Sequence, residues 1–496
     1  MDFPIFDLGW VGNRFLFIVI AITHVLINHA LAVGLIPVIV GMEFLGIKQN
    51  FPDWDKLAYK IMKTAFIVTT TVGAMTGVGI WFSAALVNPN SIGSLIRVFF
   101  SAWFIEWIVF VTEVVLIMLY YLTWQKWTKG RAKLNHFKVG YGLAVFSWIT
   151  MAIIVAILGF MMDPGNWHND QSLLMGFANP IYLPQLLFRT FLAGMMGASF
   201  ALAMTYFFTE KGSEIRFKAT RFTSAWILIC ALPTIVGGLW YWNVIPDMMV
   251  NNMSVAVGMQ QFQSWYDTLS KLLIGGVLGV IAFALFAYLR PRLNYPKLAF
   301  VAPIVVLFAT LGMFERVREF VRKPYVIGGY MYSNTMRVED YPLFKQDGIL
   351  KHASFVSTKE VTEDNLVEAG KNVFMLSCSR CHTTNGANAI TDKFRNMYGT
   401  VDEPWSADAM KRYIKNMHNA RYYMPPFPGN EKELDALVNY IKVLQYFPDP
   451  ETHTFGQTAI SKEENARLLA FVKEMEQKQE ELARKKQEVD VKLSAR

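Results

Sequence analysis

The sequence predicts an all-α protein in two parts: a polytopic membrane helix bundle of about eight spans, then a small soluble all-α domain. Three observations carry this. The 496-residue chain is 53% hydrophobic and only 17% charged, with a mean hydropathy of +0.28, an apolarity that soluble enzymes of this length rarely reach. Its apolar residues fall into blocks of about 20 or more, the length that spans a bilayer. After about residue 325 the composition turns polar, and the apolar residues that remain recur at helical spacing.

Eight blocks are long and apolar enough to span: 14–45, 59–87, 95–124, 138–162, 181–208, 222–242, 268–290 and 297–314. The first and third are long enough to tilt or to extend past the hydrocarbon. The seventh and eighth join through a tight hairpin at Arg290-Pro291-Arg292. Loops 46–60, 125–138, 209–221 and 290–297 hold about fifteen Lys and Arg, whereas loops 88–97, 163–183 and 243–271 hold about two. By the positive-inside rule the basic loops are cytoplasmic and the N-terminus lies outside. Eight crossings bring the chain back outside before residue 320. The net charge of +8 is therefore a topology signal, and no nucleic-acid partner is expected. The start, Met1-Asp2-Phe3-Pro4, lacks a basic region, and the first block is too long for a signal-peptide core, so no cleavable signal is expected. The Met-rich stretch 247–259 reads as a packed outer loop, since no His or Cys accompanies it.

Beyond the spans, residues 326–360 read as an extracytoplasmic linker, 361–450 as a small helical domain and 451–496 as a charged helical tail. Glu363–Ser377 suggests a first helix and Trp405–Met417 a middle one. Glu431–Tyr446 carries a helical stripe at Leu434, Leu437, Val438, Ile441 and Leu444, stopped by Pro448 and Pro450. The tail, rich in Glu, Lys and Arg, reads as a solvated helix or as one that docks a partner.

Between the first two helices lies Cys378-Ser379-Arg380-Cys381-His382. Cys-x-x-Cys-His is the attachment signature of a c-type haem. The thiols of Cys378 and Cys381 bond to the porphyrin, and His382 ligates iron. Haem c is attached on the outer side of the energised membrane, where the charge count also puts this domain. Gly370 and Phe374 stand where small cytochromes c pack their terminal helices. Tyr423-Met424-Pro425-Pro426-Phe427 resembles the distal-ligand loop of those proteins, with Met424 as the second axial ligand and Met417 and His418 as alternatives. Met/His ligation raises the haem potential. Cys230, the third cysteine, lies in an apolar block, so no structural disulfide is expected.

Charges inside a span are costly, so each is a candidate functional residue. The first span carries Arg14, His24 and His29. The two histidines lie about 140° apart round the helix and face different neighbours. The third carries Glu106 and Glu113, nearly on one face. The eighth ends in Phe314-Glu315-Arg316-Val317-Arg318-Glu319-Phe320-Val321-Arg322-Lys323-Pro324-Tyr325, a cluster suited to an interfacial anchor or to iron and haem propionates.

These residues resemble subunit I of the cytochrome bd oxygen reductase superfamily over about residues 10–330. Asn13-Arg14-Phe15 with Thr23-His24 resembles the first helix, whose histidine ligates a high-spin haem of a di-haem site. Phe104-Ile105-Glu106 and then Glu113 resemble the third helix with its two proton-path carboxylates, at a spacing of seven here rather than eight. Glu319-Phe320-Val321-Arg322-Lys323-Pro324-Tyr325 resembles the Glu-x-x-Arg-Gln-Pro-Trp segment. Its glutamate ligates the other high-spin haem, and its arginine supports the site.

Three departures accompany the resemblance. Arg189, in Phe188-Arg189-Thr190, stands where the family carries the histidine of its low-spin haem b, and a guanidinium cannot replace that ligand. Leu269-Ser270-Lys271-Leu272-Leu273 stands where the methionine partner is expected. Loop 243–271 is short, without the long quinol-binding loop, and a cytochrome c domain stands in place of the ninth helix. The resemblance thus implies one covalent haem c and two high-spin haems of b or d type, with low-spin haem b absent. It implies an oxidoreductase that takes electrons from a periplasmic donor through haem c and reduces O2 to water with cytoplasmic protons. Glu106, Glu113 and Arg322 would serve the reaction. Nitric oxide reduction on the same scaffold, a non-catalytic electron-transfer or anchor subunit, and a cytochrome c that exchanges electrons with quinone remain open. Expected surroundings are the bacterial inner membrane, its lipid, a second membrane subunit (subunit II-like or a copy of this chain) and other respiratory subunits.

Overall fold

The computed structural model describes residues 6–258, 263–397, 405–446 and 459–494. Among them, eight helices are long and apolar enough to cross a membrane: Asn13–Gln49, Pro52–Val87, Phe100–Thr123, Gly130–Met162, Tyr182–Phe208, Glu214–Val244, Gln263–Leu289 and Lys297–Val321. Each corresponds to one predicted span. Several run further than their apolar block, because polar turns continue a helix beyond the hydrocarbon. The third predicted span is two helices, Pro89–Val98 and Phe100–Thr123, broken at Phe99. Local chemistry sets the joints. Asn50 takes the left-handed conformation that ends the first span (φ 48°), and Pro52 opens the second in the first turn, where its missing N–H costs nothing.

The fifth helix is the centre of the bundle. Two-thirds of its apolar window is buried (67%), against 11% for the second helix. It packs on the sixth, fourth and eighth helices and on the middle of the first. The crossing with the first is backbone against backbone: a Cβ at Gly34 would collide with Ala193, and one at Gly197 with Gly34. Small residues at such crossings let helices approach closely in lipid. The first helix widens into a π-turn over Asn28–Leu35 at that level, a distortion frequent at functional sites. Exposed Phe104, Trp107, Val115, Leu272 and Ile274 leave apolar surface on the third and seventh helices, as lipid or another apolar partner requires.

The segment read as a linker is folded. Strands Tyr325–Ile327 and Met331–Tyr332 pair antiparallel, and a short helix, Tyr341–Asp347, follows. Glu433 accepts hydrogen bonds from the backbone N–H groups of Ile349 (2.9 Å) and Leu350 (2.8 Å), clamping the segment to the small domain. In that domain helix Leu366–Ser377 crosses helix Glu431–Tyr446. Gly370 meets the Ala436 backbone too closely for any side chain, and Phe374 packs on Tyr440 at 5.7 Å. The middle helix is Ala407–Ala420, capped by the Ser406 side chain. The predicted stop at Pro448 and Pro450 lies outside the described residues.

The charged tail forms helix Lys462–Ser494. Its first turns dock on this chain's own small domain rather than in solvent. Leu468 and Val472 are buried, Asn465 accepts from Val367 N–H (2.7 Å), and Glu476 pairs with Lys442 (2.9 Å).

The small domain sits on the bundle end where the first helix starts and the second and eighth finish. The Ala387 N–H donates to the Trp10 carbonyl (2.8 Å), Arg380 donates to the Val87 carbonyl, and the rings of Phe320 and Tyr423 meet at 5.3 Å.

Candidate functional site

One cavity of about 1710 Å³ runs from the small domain into the bundle. That exceeds the size usual for a single small-molecule pocket, and it suits large planar cofactors. All ten residues singled out for the site line it: Arg14 and His24 of the first helix, Glu106 and Glu113 of the third, Glu319 and Arg322 at the end of the eighth, and Cys378, Cys381, His382 and Met424 of the small domain.

At the small-domain end, the turn after helix Leu366–Ser377 presents Cys378, Cys381 and His382. His382 Nδ1 lies 3.0 Å from the Asn388 carbonyl. A carbonyl only accepts, so Nδ1 carries the proton and Nε2 keeps its lone pair for a metal. Burial pushes this imidazole down to about 4, which keeps it neutral. Met424 is fixed through its backbone: its N–H donates to the Arg421 carbonyl (2.8 Å), and its own carbonyl accepts from His418 Nδ1 (2.6 Å). His418 is thus an anchor of the Met424 loop, whereas Met417 joins Met424 on the cavity wall. This donor set of two thiols, a neutral imidazole and a thioether fits a covalent haem.

Deeper in, His24 Nδ1 is 3.2 Å from both the Gly73 carbonyl and Thr76 Oγ1, and the Asn28 amide nitrogen is 2.8 Å from Nε2. Gly77 lets the second helix approach this ring: a Cβ there would stand 3.0 Å from His24 Cε1. Glu113 accepts from Ser147 Oγ (2.7 Å) and Thr150 Oγ1 (3.3 Å) of the fourth helix. Glu106 lies two turns further toward the small domain on the same face.

At the end of the eighth helix Glu319 is paired with Arg322 and, at 3.5 Å, with Lys323. Arg14 and Arg318 are also within electrostatic range of it. Burial, with the like charge of Arg14 next, pushes Lys323 down to about 8. Asn252 of the Met-rich loop donates to the carbonyls of Val321 (3.2 Å) and Lys323 (2.8 Å), satisfying a helix end. Met249 and Met253 are buried beside it, in keeping with the packed-loop reading over the described part of 247–259.

Sequence reasoning left Arg189 and His29 without a role. Arg189 is fully buried and paired with Glu315 of the eighth helix, which also holds Arg318 (3.1 Å). Arg189 Nη1 lies 3.2 Å from His29 Nε2, Gln185 presents its amide at 3.0 Å, and the guanidinium stacks over Phe314 at 5.1 Å. A second buried network was missed altogether. Glu43 accepts from Tyr120 (2.7 Å) and contacts His136 Nδ1 (2.6 Å) and Lys133 (2.7 Å) at the other end of the bundle. A carboxylate within an apolar block was the available signal.

Residues 13–245 match the family model described as cytochrome bd terminal oxidase subunit I. Residues 365–441 match that described as cytochrome c oxidase, cbb3-type, subunit III. Among solved structures the chain is similar to the bd oxidase from Geobacillus thermodenitrificans, with a TM-score of 0.55 and 16% identity over 64% of this chain and 88% of that one. At that identity the likeness speaks for the fold. No curated protein matches the chain.

Proposed function

We propose that this chain, a subunit I-like member of the cytochrome bd superfamily with a C-terminal c-type cytochrome domain, is the haem-bearing subunit of a membrane terminal reductase. It takes electrons from a periplasmic donor through haem c and reduces O2 to water at a high-spin di-haem site. The observation that carries this reading is the single cavity joining Cys378, Cys381, His382 and Met424 to His24, Glu106 and Glu319. The haems, when bound, supply one-electron transfer and an open iron position for O2.

The side chains divide the remaining work. His382 and Met424 would hold haem c through its iron, and the Cys378 and Cys381 thiols would attach it covalently. His24 and Glu319 would each hold one membrane haem. The Gly73 and Thr76 contacts orient the His24 ring, and Arg322 and Lys323 fix the Glu319 carboxylate, as outer partners of ligands commonly do. Arg14 and Arg322 offset negative charge around the di-haem site. Protons from the cytoplasm reach the cavity by way of Glu113, which Ser147 and Thr150 steady, and then Glu106, about 10.5 Å along the helix axis. Arg189 is bound to Glu315 where the family carries the histidine of its low-spin haem, which supports a chain without that haem and without its quinol entrance. The setting is the bacterial inner membrane, with the N-terminus and the cytochrome domain on the periplasmic side. A second membrane subunit, subunit II-like or a copy of this chain, completes the unit.

The deciding experiment is the haem inventory of the purified protein. Extraction separates covalent from non-covalent haem, and reduced-plus-CO spectra report open iron. Haem c plus two non-covalent haems, at least one binding CO, is the expected result, with turnover on O2 faster than on NO. Haem c alone would sink the reductase reading.

A further inference from the structure

The seam between the membrane body and the cytochrome domain has too much positive charge for its carboxylates. Arg14, Arg318, Arg322, Lys323 and Arg380 all line the cavity there. Glu315 and Glu319 are the carboxylates that act on Arg14, Arg318, Arg322 and Lys323, and Glu315 is shared with Arg189. Arg322 is 3% exposed and Lys323 6%. Among the described residues, Arg318 Nη1, Arg322 Nε and Arg380 Nε are buried without a hydrogen-bond partner. Buried charge and unsatisfied guanidinium N–H groups are costly, so such a cluster calls for an anion. Guanidinium groups favour carboxylates with two accepting oxygens.

The place narrows the choice of anion. Lys323 and Arg380 are both within electrostatic range of Cys381, and Arg14 is within range of both His382 and Glu319. The cluster therefore lies between the haem c attachment and the Glu319 end of the membrane site. A tetrapyrrole anchored at Cys378 and Cys381 carries carboxylates on its rim.

We infer that Arg14, Arg318, Arg322, Lys323 and Arg380 form an inter-domain carboxylate site that receives tetrapyrrole propionates at the seam. The membrane body thereby supplies counter-charge to haem c through Arg14 and Lys323, and Arg380 of the haem c motif faces the membrane body. This rests on the reading that tetrapyrroles fill the cavity.

The test uses the full-length holoprotein. Lys323→Gln and Arg380→Gln each remove one cation, and Arg380→Lys keeps the charge while giving up the guanidinium bond to Val87. Haem c content and haem c midpoint potential are measured for each. Removing a cation beside the haem favours the oxidised state. The midpoint is therefore expected to fall in both Gln variants and to stay near wild type in Arg380→Lys, with covalent haem c retained in all three. An unchanged midpoint in both Gln variants overturns the site. So does an equal fall in Arg380→Lys, which would assign the effect to docking. Formate added to the wild type distinguishes the carboxylate's source. A midpoint that moves with formate means a dissociable anion occupies the seam and overturns the propionate assignment. Because haem c is covalent, these readings hold even if the wild type lacks membrane haem, an outcome that would sink the reductase reading separately.

Discussion

Arg189 of the fifth membrane helix is ion-paired with Glu315 of the eighth, and Glu315 simultaneously holds Arg318 one turn away. One carboxylate thus serves two buried guanidinium groups. Glu315→Gln strands both and is expected to cost about 3–5 kcal/mol. Arg189→Met leaves Glu315 paired with Arg318 and should cost less. Unfolding of the two variants in one detergent checks the order, and a larger loss for Arg189→Met would refute the shared-carboxylate account.

Glu106 and Glu113 differ in their surroundings although they share a helix face. Glu113 is held by Ser147 and Thr150. If both carry protons, Glu106→Gln and Glu113→Gln should each slow turnover by about 100-fold or more with haem content unchanged. Ser147→Ala loses one hydrogen bond to the Glu113 carboxyl, about 0.5–1.5 kcal/mol, and should slow turnover less than either. Oxygen consumption beside haem spectra reads all three. Full activity in Glu106→Gln would remove it from the path.

Met424→Ala should leave haem c covalently attached and lower its midpoint potential, with loss of the sulfur-to-iron charge-transfer band. His418→Ala should weaken the same features without abolishing them, because His418 fixes the Met424 carbonyl (2.6 Å) rather than iron. An intact band in Met424→Ala would move the axial role to Met417.

Glu433→Ala leaves the Ile349 and Leu350 N–H groups without their acceptor. The expected local cost is about 1–3 kcal/mol. Amide exchange at residues 349 and 350 should quicken accordingly while exchange in the membrane helices stays unchanged.

Much of this molecule is written locally. Each span needs only its own apolar run, and the haem c motif is five consecutive residues, so both could be read without knowing what packs where. The Glu319 pairs were also close to legible, since Arg322 and Lys323 follow three and four residues later, at the turn that ends the helix. Relationships between distant segments were not. Glu43 and His136 are 93 residues apart, and no spacing rule links them. Arg189 could be recognised as unable to ligate iron, yet its partner on the eighth helix is set by helix packing. The tail's docking face did leave a trace: Asn465, Leu468 and Val472 lie at helical intervals, masked by the charges around them. The packed strap 326–360 was obscured by its polarity, because its order comes from partners such as Glu433.

The clamped strap, the docked tail and the backbone bonds from Arg380 and Ala387 have a kinetic meaning. A cytochrome on a loose tether searches for its acceptor at an effective concentration set by linker length. Here the domain is held in place, so on the proposed route hand-over inside the chain is a first-order event over a constant path. On that route, encounter with an external donor would be the concentration-dependent step, at an edge of the cytochrome domain that the membrane body leaves uncovered.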